Sequence, residues 1–200
     1  MKNVWKAVIF PIKMKKPTAS GKASNPMGYS GGFQIKNILN KKSKYWMGSL
    51  FKRDKLYALV LPLFSKNVVK KKLQSMVKQK INYLPKKFFK QSSKIRAYFL
   101  GKNFNWYPKV NLENYSIFTK KVLKIVRKIP YGQIRSYSWV AAKAGSPKAG
   151  RAVGTILANN RLPLIIPCHR VIKKSGALGQ FSAGFGNNLK KIMLDIERKT

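Results

Sequence analysis

Apolar residues run in short blocks through the first third of the chain and switch to a helical spacing near residue 65. Residues 4 to 10 read as a strand. Tyr45 to Phe51 and Leu56 to Phe64 are two further strand-like runs, joined by Lys52-Arg53-Asp54-Lys55 as a hairpin. Pro62 has no backbone donor, which places the end of the second run at a sheet edge. Pro11 to Lys44 is rich in Gly, Ser, Pro and Lys without periodicity and reads as a long loop. Ser65 caps a helix whose Val69, Leu73, Met76 and Val77 share a face, and Pro85 opens another that runs to Phe99 and stops at Gly101.

Gly101 to Asn114, with its Asn, Gly and Pro108, interrupts the pattern. It divides the chain into an N-terminal α+β unit over 1–110 and a mostly helical unit over 111–200. In the second unit Phe118, Val122, Ile125, Val126 and Ile129 mark a helix ended by Pro130, with a turn at Tyr131-Gly132. Ser136 caps a helix over Tyr137 to Ala144, and Gly145 breaks it. Ser146-Pro147 reads as the N-cap and first position of a second helix reaching about Ala158. Two short helices around a tight turn fit a helix-turn-helix, whose second helix enters a DNA groove; an ordinary helical hairpin fits the same residues. On the second helix Ala149, Gly150, Ala152 and Gly154 are small, and Arg151 is the one long side chain among them. Leu162 to Ile166 reads as a short buried strand that Pro167 ends. Gly179 to Gly186 reads as a Gly-rich loop over a flat ligand, with Phe181 to stack on a ring and Ser182 to hydrogen-bond it.

Composition adds exclusions. No apolar run approaches the roughly 18 residues of a membrane span, and no signal peptide is evident, which predicts a cytoplasmic protein. One Cys and one His exclude an internal disulfide and a Cys/His zinc site; neither a metal nor a cofactor is expected. The charge is extreme, with 43 Lys and Arg against 4 acidic residues and a formal +39. Such a field draws nucleic acid by counterion release, and an anionic membrane surface equally. Six of the eight Arg lie from Arg127 onward, which places specific recognition of bases or phosphates in the second unit.

The chain's only Cys and only His are neighbours, in Pro167-Cys168-His169-Arg170-Val171. A thiolate is the strongest nucleophile among side chains and imidazole the base best matched to neutral pH, so one pair supplies both roles. A buried inert Cys beside a structural His would give the same dipeptide. The final helix, about Asn188 to Lys199, has Leu189, Ile192, Met193 and Ile196 on one face. At about 100° per residue Glu197 falls between Met193 and Leu194 inside the apolar sector, whereas Asp195 projects outside it. A carboxylate there fits a third member that orients His169; a surface Glu paired with Lys or Arg is the competing reading.

The C-terminal 85 or so residues resemble the O6-alkylguanine-DNA alkyltransferases, in Ile129-Pro130-Tyr131-Gly132, Ser136-Tyr137, Gly145-Ser146-Pro147-Lys148-Ala149, Arg151-Ala152-Val153-Gly154, Asn160 and Pro167-Cys168-His169-Arg170-Val171. The resemblance implies irreversible transfer of an alkyl group from O6-alkylguanine, and from O4-alkylthymine, in double-stranded DNA to the protein's own cysteine, by a monomer. Cys168 is then the acceptor, with His169 acting through a water and Glu197 behind it. Tyr137 assists the leaving guanine, Asn160 braces the turn before the acceptor, and Arg151 fills the gap left by a flipped nucleotide. Arg135, Ser136, Tyr137, Ala149 and Gly154 join Arg151 at the DNA, and Pro163, Val171, Phe181 and Ser182 form the base pocket. A ribonuclease-H-like support domain is implied for the N-terminal half, where the likeness is confined to Tyr98-Phe99-Leu100-Gly101 and Val110-Asn111-Leu112. Phe181 stands where many members have Tyr, Ala183 replaces a common Gly, and Gly186-Asn187-Asn188 is about two residues longer than usual. Three other readings differ from this one in the chemistry they predict. A lesion sensor of the same shape would lack the acceptor Cys, a basic helix-turn-helix DNA-binding protein would transfer nothing, and a Cys-His thiol hydrolase would turn over.

Overall fold

The computed structural model of the chain describes residues 5–14, 44–85, 92–102, 104 and 106–198. Most of the expected 11–44 loop and the start of the helix expected from Pro85 lie outside those residues.

Three strands, β1 (Trp5–Ile12), β2 (Tyr45–Lys52) and β3 (Lys55–Leu63), pair antiparallel in chain order, with β3 turning from β2 at Arg53-Asp54. A short β4 (Ile81–Tyr83), not evident from the pattern of its three residues, adds to β1 in parallel and gives the order β3-β2-β1-β4. Pro62 therefore does sit on an edge strand. Period-two alternation divides the sheet's side chains between two cores. Trp5, Ala7, Leu50, Ala58 and Val60 pack on α1 (Lys66–Gln74) through Val69 and Leu73, and Val8, Phe10, Ile12, Met47, Leu59 and Leu61 face the C-terminal half. Ser65 caps α1 as expected, its Oγ accepting from Asn67 N at 3.2 Å. Gly48 lets α1 lie close: a Cβ there would stand 2.7 Å from both Val69 and Leu73.

Beyond the sheet come α2 (Ser92–Phe99), α3 (Ile117–Arg127), β5 (Arg135–Ser136), α4 (Tyr137–Lys143), α5 (Gly150–Ala158), a 3-10 turn over Cys168–Arg170, β6 (Val171–Ile172) and α6 (Asn187–Arg198). The architecture is mixed α+β. Among the described residues no helix is long and apolar enough to cross a membrane.

Two local expectations are corrected. The helix expected to open at Ser146-Pro147 begins at Gly150, because Ala149 N donates to Ser146 O at 2.9 Å and closes a separate turn first. Leu162 to Ile166 is not a strand but a buried turn, with Ile166 N donating to Leu162 O at 2.8 Å and Leu164 at φ 73°. Pro163 has no backbone donor for a ladder, and the edge of β3 meets this part of the chain at the carbonyl of Arg161, from Leu59 N at 2.8 Å. Burial made the run apolar, and a buried turn needs that as much as a strand does.

Candidate active site

A parallel two-residue ladder, Arg135 with Val171 and Ser136 with Ile172, assembles the site. It joins the residues just before Tyr137 to those just after Arg170, so α4 and the Cys168–Arg170 turn leave the same ribbon. Ser136 caps α4, its Oγ accepting from Trp139 N at 3.1 Å. Asn160 then cross-braces the buried turn: its Oδ1 accepts from Leu162 N at 3.0 Å, and its Nδ2 donates to Ile166 O at 2.9 Å and to Cys168 Sγ at 3.1 Å.

Cys168 is 4% exposed, His169 0%, Arg170 6% and Glu197 3%. Burying ionisable groups this deeply is unfavourable unless each finds partners. Glu197 Oε1 accepts from His169 Nε2 at 2.7 Å, Tyr98 Oη at 2.9 Å and Arg170 Nη2 at 2.9 Å; Oε2 accepts from Arg170 Nε at 2.7 Å and Gly132 N at 3.0 Å. Burial alone would raise the Glu197 carboxyl, but the bonds and charges of His169 and Arg170 overcome it and bring the pKa to about 2. Facing a carboxylate, Nε2 carries the imidazole proton. Nδ1, which is buried and accepts no hydrogen bond among the described residues, keeps the basic lone pair. Burial lowers the His169 pKa despite Glu197. Burial raises the Cys168 thiol, while Asn160 and Lys190 pull it back down. Both shifts favour the uncharged forms, thiol and neutral imidazole.

The structure brings Cys168, His169, Glu197 and Asn160 into this cluster. Tyr137 lies alongside, close enough that the Cys168 charge adds to the burial that raises its phenol pKa. Gly179 passes so near that a Cβ would come 2.7 Å from Tyr137 Oη, and its φ of 69° lies in the left-handed region that favours glycine. Tyr137, exposed Arg151 and Gly154 line an open cleft of about 1080 Å³ with Gly150, Thr155 and Lys173. Ala149 is the uncapped N-terminus of α5. Arg135 is held locally, donating to Ile134 O and Gln133 Oε1 at 2.7 Å each, with its guanidinium 5.3 Å from the Trp139 ring centre. The four base-pocket residues fall differently. Pro163 and Val171 are buried, and Phe181 is 8% exposed. Ser182 Oγ donates to Ala158 O, and with Phe181 it borders a smaller cleft of about 390 Å³. Among the described residues no group of three His, Cys, Asp or Glu side chains converges as a metal-ligand set.

Three members of the site were not read from the sequence. Arg170 holds Glu197 with two nitrogens and donates to Ile129 O at 2.6 Å. Lys190, fully buried, donates to the carbonyls of Val171 at 2.7 Å and of Leu178, and burial lowers its pKa to about 8. It lies seven residues before Glu197, on the same helical face, so the periodicity that found one carboxylate would also have found the lysine. Tyr98 comes from the N-terminal half, where the sequence offers a family likeness at Tyr98-Phe99-Leu100-Gly101 but no role for the tyrosine.

Comparison with known proteins agrees with this geometry. The family model "6-O-methylguanine DNA methyltransferase, DNA binding domain" matches residues 117–199. A methylated-DNA-protein-cysteine methyltransferase of Methanosarcina barkeri is 43% identical over 115 residues, 56% of this chain and 70% of the relative. The constitutive enzyme of that name from Bacillus subtilis is 49% identical over 81 residues, 40% of this chain and 48% of the relative. The match to the Rattus norvegicus enzyme spans 38% of that protein, so the chain covers less than half the length of some relatives. Among solved structures, Mycobacterium tuberculosis OGT in complex with DNA superposes with a TM-score of 0.62 at 29% identity, over 77% of this chain and 87% of that one. The O6-methylguanine-DNA methyltransferase of Pyrococcus kodakaraensis, at 17% identity and TM-score 0.64, shares the fold over 96% of this chain and 98% of its own. The chain belongs to the methylated-DNA-protein-cysteine methyltransferase family.

Proposed function

We propose that this chain repairs DNA directly, moving the alkyl group of O6-alkylguanine onto Cys168 Sγ, once per molecule. The observation that carries the proposal is the 2.7 Å bond between His169 and Glu197 next to buried Cys168, near a cleft lined by Tyr137 and Arg151. Through a bridging water His169 Nδ1 takes the thiol proton, and Glu197 holds the imidazolium that results. The thiolate attacks the alkyl carbon; the C–S bond forms as the C–O bond breaks, and guanine leaves with a proton supplied from Tyr137. The Asn160 amide stabilises charge on sulfur before the attack. The product is a thioether, which is not open to easy hydrolysis, so the cycle ends there.

Helices α4 and α5 act as the helix-turn-helix, with the small-residue face of α5 against the duplex and Arg151 in the place of the flipped nucleotide, whose unstacking costs a few kcal/mol. Residues 1–110 form a ribonuclease-H-like support unit and 111–200 the DNA-binding and acceptor unit of a cytoplasmic monomer. Incubation with duplex DNA carrying O6-methylguanine adds one methyl group to the intact mass, and peptide mapping places it on Cys168. Repeated turnover, or a methyl elsewhere, contradicts the proposal.

A further inference from the structure

The Glu197 carboxylate has more donors than a base-orienting acid needs, and one crosses from the other half of the molecule. Tyr98, 0% exposed on α2, donates its hydroxyl to Glu197 Oε1 at 2.9 Å, the same oxygen that accepts His169 Nε2 at 2.7 Å. The hydroxyl is 3.5 Å from Nε2 itself and 3.4 Å from Met193 O, and the Tyr98 and His169 rings stand edge to face at 6.5 Å. Edge contacts with Phe99 at 5.1 Å and Phe104 at 5.7 Å hold the tyrosine ring. We propose that Tyr98 is a positioning residue that sets the base strength of His169, by drawing off part of the negative charge on the oxygen that stabilises the imidazolium.

The direction follows from hydrogen-bond competition. Each donor to Oε1 spreads its charge, so removing one concentrates charge on that oxygen, strengthens the bond from Nε2 and makes His169 easier to protonate. A tyrosine that only packed the core would act oppositely, because its loss would loosen the His169-Glu197 contact and leave imidazolium less supported. Other charged or titratable groups face the cluster from each side: Arg170 and Cys168 on the 3-10 turn, Lys190 on α6 and Tyr131 after α3. None of them changes in the comparison below. Burial and Glu197 both hold the Tyr98 phenol pKa well above its ordinary value, so it remains a donor throughout.

With a single histidine in the chain, the test has one imidazole signal to follow. In the full chain without DNA, NMR titration of His169 moves upward by about half to one pH unit in Tyr98→Phe relative to wild type. It moves downward in Glu197→Gln. Placing 3-fluorotyrosine at position 98 makes the hydroxyl a stronger donor with little change in shape, and the titration moves downward. If Tyr98→Phe leaves the titration in place or moves it down as Glu197→Gln does, the proposal is overturned. If Tyr98→Phe fails to fold, the fluorinated chain decides: no movement, or an upward one, overturns it. The consequence for repair rests on the alkyl-transfer reading, under which the acid limb of the single-turnover rate follows the same shifts. A chain whose His169 titrates as stated but transfers no methyl group refutes that reading and leaves the role of Tyr98 standing.

Discussion

The two halves of this molecule bury different things. Around the α1 face of the sheet, the described core is aliphatic and aromatic: Trp5, Ala7, Leu50, Ala58, Val60, Val69, Leu73 and Ile81. Around α6 the core takes in His169, Arg170, Lys190 and Glu197, the charged or titratable side chains among the buried polar residues described. An apolar core gains from every methylene it excludes from water, whereas a buried ion pair gains little over a hydrophobic pair of similar volume. Charge kept at that disadvantage, with Lys190 close enough to lower the Cys168 pKa, marks the place where the fold serves chemistry rather than stability. The hydroxyl of Tyr98 joins the two.

The contrast predicts different failures. Leu50 is fully buried beneath α1, and Leu50→Ala lowers stability by about 2–5 kcal/mol. Chemical denaturation finds that loss alike at neutral and mildly acid pH, with the transfer rate per folded molecule unchanged. The stability of the charged core depends on pH. His169 has its folded pKa below the ordinary 6.5, and Glu197 has it at about 2 against 4.5. In both cases the unfolded chain binds protons first as pH falls. The contribution of these two groups is therefore full above about 6.5, declines as the unfolded chain takes up the His169 proton, and falls again between 4.5 and 2 through Glu197. A flat profile from pH 7 to 3 would remove the distinction between the two cores.

Arg151 sharpens the comparison from outside, being exposed on α5 and no part of either core. Arg151→Ala leaves the denaturation midpoint within about 0.5 kcal/mol of wild type, as surface changes do. It slows repair of duplex DNA by about 10-fold or more, consistent with the few kcal/mol of unstacking it offsets. Reaction with the free alkylated base is unaffected; parallel single-turnover assays on duplex and free base check this, and equal losses on both refute the role.

Local pattern carried much of the fold. The hairpin at Lys52–Lys55, the Ser65 and Ser136 caps and the amphipathic α3 and α6 were all legible, because caps and periodicity are properties of neighbouring residues. The same periodicity put Glu197 on the inner face of α6, and adjacency joined Cys168 to His169. Apart from the late start of α5, which a local turn at Ser146 sets, the failures share a cause in contacts distant along the chain. Leu162 to Ile166 is apolar because it is buried, and whether such a run is strand or turn is decided by the neighbouring edge of β3. The β5–β6 ribbon has two residues in each strand, too short for any pattern. Tyr98 reaches Glu197 across 99 residues, so an N-terminal half that reads as bare support in fact completes the site.

The central claim is that Glu197, and not the nearby acid Asp195, supports the base that activates Cys168. The two positions lie about 160° apart around α6 at 100° per residue. Single-turnover methyl transfer as a function of pH, on folded Glu197→Gln and Asp195→Asn with DNA binding measured alongside, tests it. The account predicts that Glu197→Gln binds DNA normally and transfers about 100-fold more slowly or worse at neutral pH, the lower end of what a positioned acid–base group contributes. Its reactivity shifts to higher pH, where the thiol ionises unaided, while Asp195→Asn follows wild type. Slow transfer by Asp195→Asn, or wild-type rates from both variants, would contradict it.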